Sequence, residues 1–399
     1  MERLRASNLA VELLENILVR LPVKSVIRFK CVEKSWSSLF ENPSFIAKHH
    51  RHSCSITNPS YLIMSQDDSG GDIIIMSLLH PPHNDIDDTQ VHIVDMNIQF
   101  DTNLISMRFL RPNICACING IFCIGGSFSG GFDGFFLWNP AIRQYKVVPY
   151  PTLHYPPALH FFNTDHNFAF GYDYNSNDYK VVRIVNYGRD YNTFVHAYTL
   201  STDSWRQKIN TAIDLSNIAF LSTFDEKYLN GVYYWFCILK DTDKHGRVFN
   251  CAVILSFHMT NEVFRILSLP EFRSVPHQIK TFAVFNECLA FIFYNKRRTT
   301  MEANLEIWVM RESGVQESWT KQLVVGPLLG IRNPLGFAKN GELLLLVCDD
   351  DQTIALYNIG SQEIKILQFR DFPNAFNTSE AISYVESLVS FKGDNVVQY

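Results

Sequence analysis

Cysteine, histidine, aspartate and paired glycines are the residues of this chain whose spacing could support chemistry. Cys115, Cys117 and Cys123 fall in the run CACINGIFC. A structural zinc site takes two ligand pairs, each pair two to four residues apart, and this run supplies no second pair. On a strand, alternate residues point the same way, so Cys115 and Cys117 are expected to share one face as small core fillers. His49, His50 and His52 cluster beside Arg51. At a helix C-terminus such residues are favoured by the backbone dipole, and a solvated helix end is the expectation. Gly125-Gly126 and Gly130-Gly131 flank Phe128 and Phe132. They read as a hairpin tip, since no phosphate-cradling pattern accompanies them. No Ser/His/Asp arrangement can be defended. The expectation is therefore no catalytic residue, no metal and no cofactor.

Asp67-Asp68, Asp85-Asp87-Asp88 and Asp349-Asp350-Asp351 sit at turn-like positions. They are either solvated turns or an acidic rim that steers a basic partner. Lys296-Arg297-Arg298 is the opposite patch. The 399 residues carry 35 Lys/Arg and 40 Asp/Glu, a net charge of −5, which argues against a nucleic-acid binder. Residues 1–52 hold nine of the basic and five of the acidic residues. The remainder holds 26 against 35, a net of −9, so the body favours cationic or neutral partners. Nine cysteines are scattered without a framework, and no apolar run approaches the ~20 residues that cross a bilayer. A reduced compartment is expected: the cytoplasm, with the nucleus also open.

These residues need elements to hold them. From Asn8 to His50 the chain reads as short helices. Ser7 or Asn8 can cap the first. Leu14, Ile17, Leu18 and Leu21 recur on one helical face, and Pro22 stops it. Ser25 is expected to restart the chain for Val26, Ile27, Phe29 and Val32. Trp36, Leu39 and Phe40 come next, ended at Asn42-Pro43, and Ser44–His49 adds a turn or two. Some forty residues cannot bury this much apolar surface alone, so the segment needs a partner. Its order, with Glu12-Leu13-Leu14, Arg20-Leu21-Pro22, Lys24-Ser25, Arg28-Phe29, Lys34-Ser35-Trp36, Pro43 and Phe45, resembles the F-box. One departure is Ala10 after Leu9, where that family usually has proline. The resemblance implies docking to a Skp-type adaptor, and through it to a cullin–RING ubiquitin ligase. Leu9, Ile17, Leu21, Pro22 and Val23 are the residues it implies for that contact.

From about Arg51 the pattern turns to runs of four to seven Val, Ile, Phe and Tyr residues between turn residues. Turn-like sites recur at Asn119-Gly120, Asn175-Ser176-Asn177, Asn230-Gly231, Asn286-Glu287 and Asn340-Gly341, with steps of 57, 54, 56 and 54 residues. Asn-Gly is a strong hairpin signal, and Gly120, Gly231 and Gly341 are expected at positive φ. A second hairpin comes after each, with first aromatics at Trp138, Tyr198, Phe257, Trp308 and Tyr357. Four-stranded units at a period near fifty predict a β-propeller of about six blades. The first is placed by stepping back to Asp67–Gly71. Ala381–Ser390 has no partner in its own repeat and is expected to return to the first blade. The fold class is α+β: a helical head at residues 4–52 and an all-β domain at 53–392.

NGIFCI, LWNPAIRQYKVVP, FGYDYNSNDYKVVRIV and the closing ISYVESLVS resemble plant F-box proteins with an F-box-associated repeat domain, most of all the S-locus F-box and S-locus F-box-like subgroup. That resemblance implies a non-catalytic receptor that brings a protein client to the ligase, with a pistil S-ribonuclease as a client of the basic kind. Propeller function lives on loops. The long ones here are Leu79–Asp95, Tyr150–Asn167, Asp241–Asn250 and Tyr294–Asn304. His154, Tyr155, Phe161 and Phe162, of a type enriched at interfaces, join Asp349 and Asp350 as candidate client contacts. The competing expectation is a glycan- or small-molecule-binding, or enzymatic, propeller whose head is a cap.

Overall fold

The computed structural model describes residues 11–56, 60–66, 74–80, 92–95, 109–128, 132–149, 151, 164–187, 193–207, 213–220, 226–242, 245–269, 279–296, 302–347, 353–367, 381–392 and 396–398. Four helices come first: α1 (Val11–Leu18), α2 (Val23–Phe29), α3 (Lys34–Phe40) and α4 (Pro43–Ile56). Pro22 both separates and starts helices. Its φ of −58° and ψ of 147° put it at the N-cap of α2, so the helix begins at Val23 and not at Ser25. The fourth helix has 14 residues and runs past the expected boundary at residue 52. The Asn42 side chain accepts from Ser44 N–H at 2.8 Å and gives it a firm start. Its polar second half, HRHSCS, hides the helical period.

Strands then fall into hydrogen-bonded sheets. The first is β1 (Ser60–Gln66), β2 (Ile74–His80) and β3 (His92–Asp95). The second is β4 (Phe109–Ile118), β5 (Ile121–Phe128), β6 (Phe132–Asn139) and β7 (Gln144–Val147), and the third β8 (Thr164–Asp173), β9 (Asp178–Tyr187), β10 (Thr193–Thr199) and β11 (Ser204–Gln207). The fourth is β12 (Ile218–Phe220), β13 (Glu226–Leu229), β14 (Val232–Thr242), β15 (Val248–His258) and β16 (Val263–Ser268). The fifth is β17 (Ile279–Phe285), β18 (Cys288–Lys296), β19 (Glu302–Met310) and β20 (Trp319–Leu329). The last is β21 (Ile331–Phe337), β22 (Leu343–Val347), β23 (Ile354–Tyr357) and β24 (Ile364–Leu367). Two C-terminal strands, β25 (Ala381–Tyr384) and β26 (Val396–Gln398), return to β1 and β7.

The expectation of about six four-stranded blades is corrected. Five sheets, from β4 onward, are described with their packed side chains as blades, whereas β1–β3 are described by strand pairing alone. Two of those five blades have a fifth strand. In one, β26 adds to β7. In the other, β14 is eleven residues long, enough for β13 and β12 to pair in turn along one edge. The return to the first sheet holds, as Ser60 pairs with Tyr384 and Ile63 with Ala381. That strand stops at Tyr384, and from Val385 the chain leaves the sheet.

The turns match the sequence closely. Gly120, Gly231 and Gly341 have φ of 76°, 82° and 84°. Asn119 and Asn230 are also left-handed, as a type I′ turn demands. Asn286 and Glu287 make the same turn without glycine, at 48° and 60°. The cysteine expectation fails in part. A register shift between Ile114 and Ala116 bulges β4, and the bulge breaks alternation. Cys115 therefore packs in the core shared with Val181 and Leu255, and Cys117 against the core of Phe122 and Trp138. Gly125 is not at a hairpin tip: it lies within β5, where a Cβ would sit 3.3 Å from the Cys115 sulfur. Asp241–Asn250 is largely paired, with Thr242 opposite Val248. Both faces of that extension are exposed, so no apolar alternation marks it.

Neighbouring blades are tied by side chains that reach across. Trp205 Nε1 donates to Pro149 O at 2.6 Å, Trp235 Nε1 to Phe168 O at 3.2 Å, and the Tyr294 hydroxyl to Ile331 O at 2.6 Å. Ionic clasps repeat the theme. Lys146, with no exposed surface, meets Asp203 of the next blade at 2.8 Å, and Asp203 also accepts from the Tyr198 hydroxyl at 2.6 Å. One repeat on, Glu262 occupies the corresponding turn position and takes Lys180 at 3.1 Å, and Arg206 as well. Asp203 and Glu262 both have left-handed backbones, which aim their carboxylates back at the preceding blade.

Burial raises the Asp203 carboxyl, but the hydrogen bonds from Lys146 and Tyr198 and the Lys146 charge outweigh it and hold the pKa below the ordinary value. A depressed pKa stabilises the fold above the unfolded value and loses that stabilisation as pH falls through the folded one. Asp203→Asn, which tolerates the positive φ, removes the Asp203 charge from beside the buried Lys146 ammonium. It is expected to cost about 2–3 kcal/mol, at the low end for a broken buried pair because Asp203 is partly exposed. A urea melt at pH 7 measures it, and the deficit should shrink below pH 4.

Candidate functional site

The helical head has an inner and an outer apolar surface. Leu18, Val19, Val23, Val26, Phe40 and Phe45 are all buried, at 5% exposure or less, and form its core. Leu13 and Ile17, one helical turn apart on α1, point outward at 54% and 50% exposure. Pro22 is exposed beside them, and Val32 is 64% exposed at the end of the turn after α2. An α1 that put all its leucines inward would leave no such stripe. The spacing Leu13/Ile17 against Leu14/Leu18 splits them between two faces.

The outer face is held by contacts beneath it. Lys48 on α4 bonds Glu15 Oε1 and Asn16 Oδ1, both at 2.9 Å, pinning α1 to α4. His49 Nε2 lies 2.8 Å from Leu21 O. A carbonyl can only accept, so Nε2 carries the proton. The ring is fully buried against Phe45, and its Nδ1 has no hydrogen-bond partner. This corrects the expectation of a solvated histidine cluster: α4 continues to Ile56, so His49 lies inside a helix and not at its end.

Of the residues expected at the adaptor contact, Ile17 and Pro22 are on the free face, and Leu21 is half-buried and packed against the head core. Val23 is a correction. At 1% exposure it belongs to that core, because helix α2 starts there and turns its first side chain inward. Leu9 lies outside the described residues. Leu13 and Val32 are also exposed and are absent from the expected contact set; the i, i+4 step from Leu13 to Ile17 is the signal that marks the first of them.

The head stands on one end of the propeller. Ala141 and Ile142, between β6 and β7, pack against its core, and Lys339, between β21 and β22, donates to Cys54 O at 2.6 Å. Antiparallel neighbours reverse direction, so turns joining first to second and third to fourth strands share this end. The second-to-third connections and the crossovers between blades leave at the opposite end. His154, Tyr155, Phe161 and Phe162, between β7 and β8, and Asp349 and Asp350, between β22 and β23, belong to such connections but lie outside the described residues. Among the described residues no group of three or more His, Cys, Asp or Glu side chains is arranged to hold a metal ion.

Burial lowers the pKa of His49, against the Leu21 hydrogen bond and with help from His52. Burial likewise lowers that of His50, whose Nδ1 donates to Glu386 O at 3.3 Å. A histidine held neutral in the fold stabilises it above the unfolded pKa of about 6.5 and loses that contribution as pH falls below it. The head is therefore expected to lose stability on acidification from pH 6.5, at up to about 1.4 kcal/mol per pH unit for each such group. In His49→Gln, whose amide can still donate to Leu21 O, the slope should flatten. Hydrogen exchange of α1 and α4 amides across pH 5–8 reads both.

The F-box domain model matches residues 6–48, and the model of the F-box associated beta propeller domain matches residues 83–391. An F-box/kelch-repeat protein of Arabidopsis thaliana is 26% identical over 360 residues, covering 88% of each chain. The F-box protein CPR1 of Arabidopsis thaliana is 22% identical over 421 residues, covering 98% of this chain and 92% of the relative. Among solved structures, the β-propeller domain of the Trilobed protease from Pyrococcus furiosus is 9% identical, with a TM-score of 0.34 over 84% of this chain and 97% of that one.

Proposed function

Because this chain belongs to the family with an F-box associated β-propeller domain preceded by an F-box, we propose that it is the substrate-receiving subunit of a Skp–cullin–F-box ubiquitin ligase. The observation that carries this reading is the outward stripe of Leu13, Ile17 and Pro22 over a head whose core is already closed, with Leu388 of the C-terminal chain filling part of it. An apolar stripe on a closed core needs another polypeptide to cover it. The partner is a Skp-type adaptor, and through it a cullin–RING ligase. The client is held at the far end of the propeller, where the crossover and second-to-third connections emerge. Holding a client near a ubiquitin-charged partner makes transfer nearly intramolecular. This chain then needs no bond chemistry of its own.

A finer reading rests on the motif resemblance to the S-locus subgroup: a basic client of the pistil S-ribonuclease kind, captured in the cytoplasm or nucleus. The net charge of −9 on residues 53–399 supports a basic client. Capture of an S-ribonuclease that weakens steeply with salt would support it, and capture of a neutral protein in its place would remove it.

Leu13→Glu with Ile17→Asp should abolish capture of a plant Skp adaptor. Two anchors at about 2 kcal/mol each amount to about a thousandfold in affinity. The melting midpoint should hardly move, since both side chains are already in water. Val23→Asp, by contrast, places a charge in the head core and should unfold it. Undiminished adaptor capture by the double variant would leave the head a mere cap.

A further inference from the structure

After β25, the described chain Val385–Lys392 runs neither in a sheet nor free. It passes between the head and the blade of β4–β7, and every residue from Val385 to Lys392 except Ser390 meets one of them or both. The Glu386 carboxylate accepts from Val23 N–H at the start of α2, and its carbonyl takes His50 Nδ1. Leu388, 5% exposed, is inserted into the core of the head. On the propeller side, Asn139 is fully buried, and its amide donates to Ser387 O at 3.1 Å and to Val389 O at 2.7 Å. Its Oδ1 accepts from Ala141 N–H at 3.1 Å. Phe391 N–H reaches Gln144 Oε1 at 2.7 Å, and Lys146 reaches Lys392 O at 3.3 Å. Gly120 lies so close that a Cβ would fall 2.5 Å from Ser387 Cβ and 2.7 Å from Val385 O.

We propose that Val385–Lys392 is a strap that fixes the orientation of the helical head on the propeller, with Asn139 as its positioning residue. Among the described residues, Ala141, Ile142 and Lys339 of the propeller touch the head directly. The strap adds an apolar side chain inside the head and a carboxylate at its second helix, while its own backbone is anchored in the blade. Given the receptor reading above, on which this consequence rests, the strap sets how far a client at the opposite end stands from the ubiquitin-charged partner. Asn139 acts through the strap, not on adaptor or client.

The test measures the distance distribution between spin labels carried by noncanonical residues at the exposed positions Glu33 and Glu312, on the chain alone. It therefore decides the strap whether or not an adaptor binds. Asn139→Asp keeps the acceptor for Ala141 N–H but turns an anionic oxygen toward two carbonyls. Leu388→Ser removes only the insertion into the head. Each is expected to broaden the distribution at least twofold and to leave adaptor capture within twofold of the unaltered chain. If Asn139→Asp fails to fold, Leu388→Ser alone decides. An unaltered distribution in the folded variants overturns the proposal. Adaptor capture by the unaltered chain, measured separately, tests the receptor reading.

Discussion

One buried carboxamide holds the two halves of this protein in register. Asn139 ends β6, caps the turn that leads to β7, and offers its two N–H groups to the backbone of a segment about 250 residues downstream. A buried amide left unpaired would cost on the order of 1–3 kcal/mol, so the site demands its partners as much as it supplies them. Around it the C-terminal chain is tied to successive elements in turn. It pairs with β1, passes under α2, and pairs with β7. Closure of the propeller and seating of the head are thus made by the same short C-terminal stretch.

The rest of the architecture depends on that seating. With the head on the end that carries the tight turns, its stripe of Leu13 and Ile17 is left exposed. Strand alternation alone puts the described ends of the second and fourth strands of each blade at the other end. The two ends are joined by blades cross-tied through Trp205, Trp235 and Tyr294, and by the Lys146–Asp203 and Lys180–Glu262 pairs. A stiff body between the head and the opposite end suits the proposed receptor role, because slack would dilute the effective concentration that role depends on.

The repeat is legible in the sequence because its turns are chemically costly. Left-handed backbone at 119–120 and 230–231 favours Asn and Gly, and those pairs keep the period visible. The helical head is legible from its apolar spacing and from Pro22. The features that escape such reading depend on distant partners. Val23 looks like a neighbour of Pro22 on the surface, and only the position of α2 turns it inward. The bulge at Cys115 depends on the register of β4 against β5, which a single strand does not encode. The fifth strand supplied by β26 and the insertion of Leu388 join residues far apart in the chain. ISYVESLVS reads as a closing strand, yet its second half packs as an irregular strap. Asn139 stands inside LWNPAIRQYKVVP with no role that local pattern can give it, since its partners lie far along the chain.

The most direct measurement of the account is hydrogen exchange of the full chain with and without a plant Skp adaptor. The account predicts added protection at Val11–Lys24, little change through the blades, and a strap at Val385–Lys392 as protected before binding as after. No added protection along α1, or a strap that exchanges freely until the adaptor arrives, would contradict it.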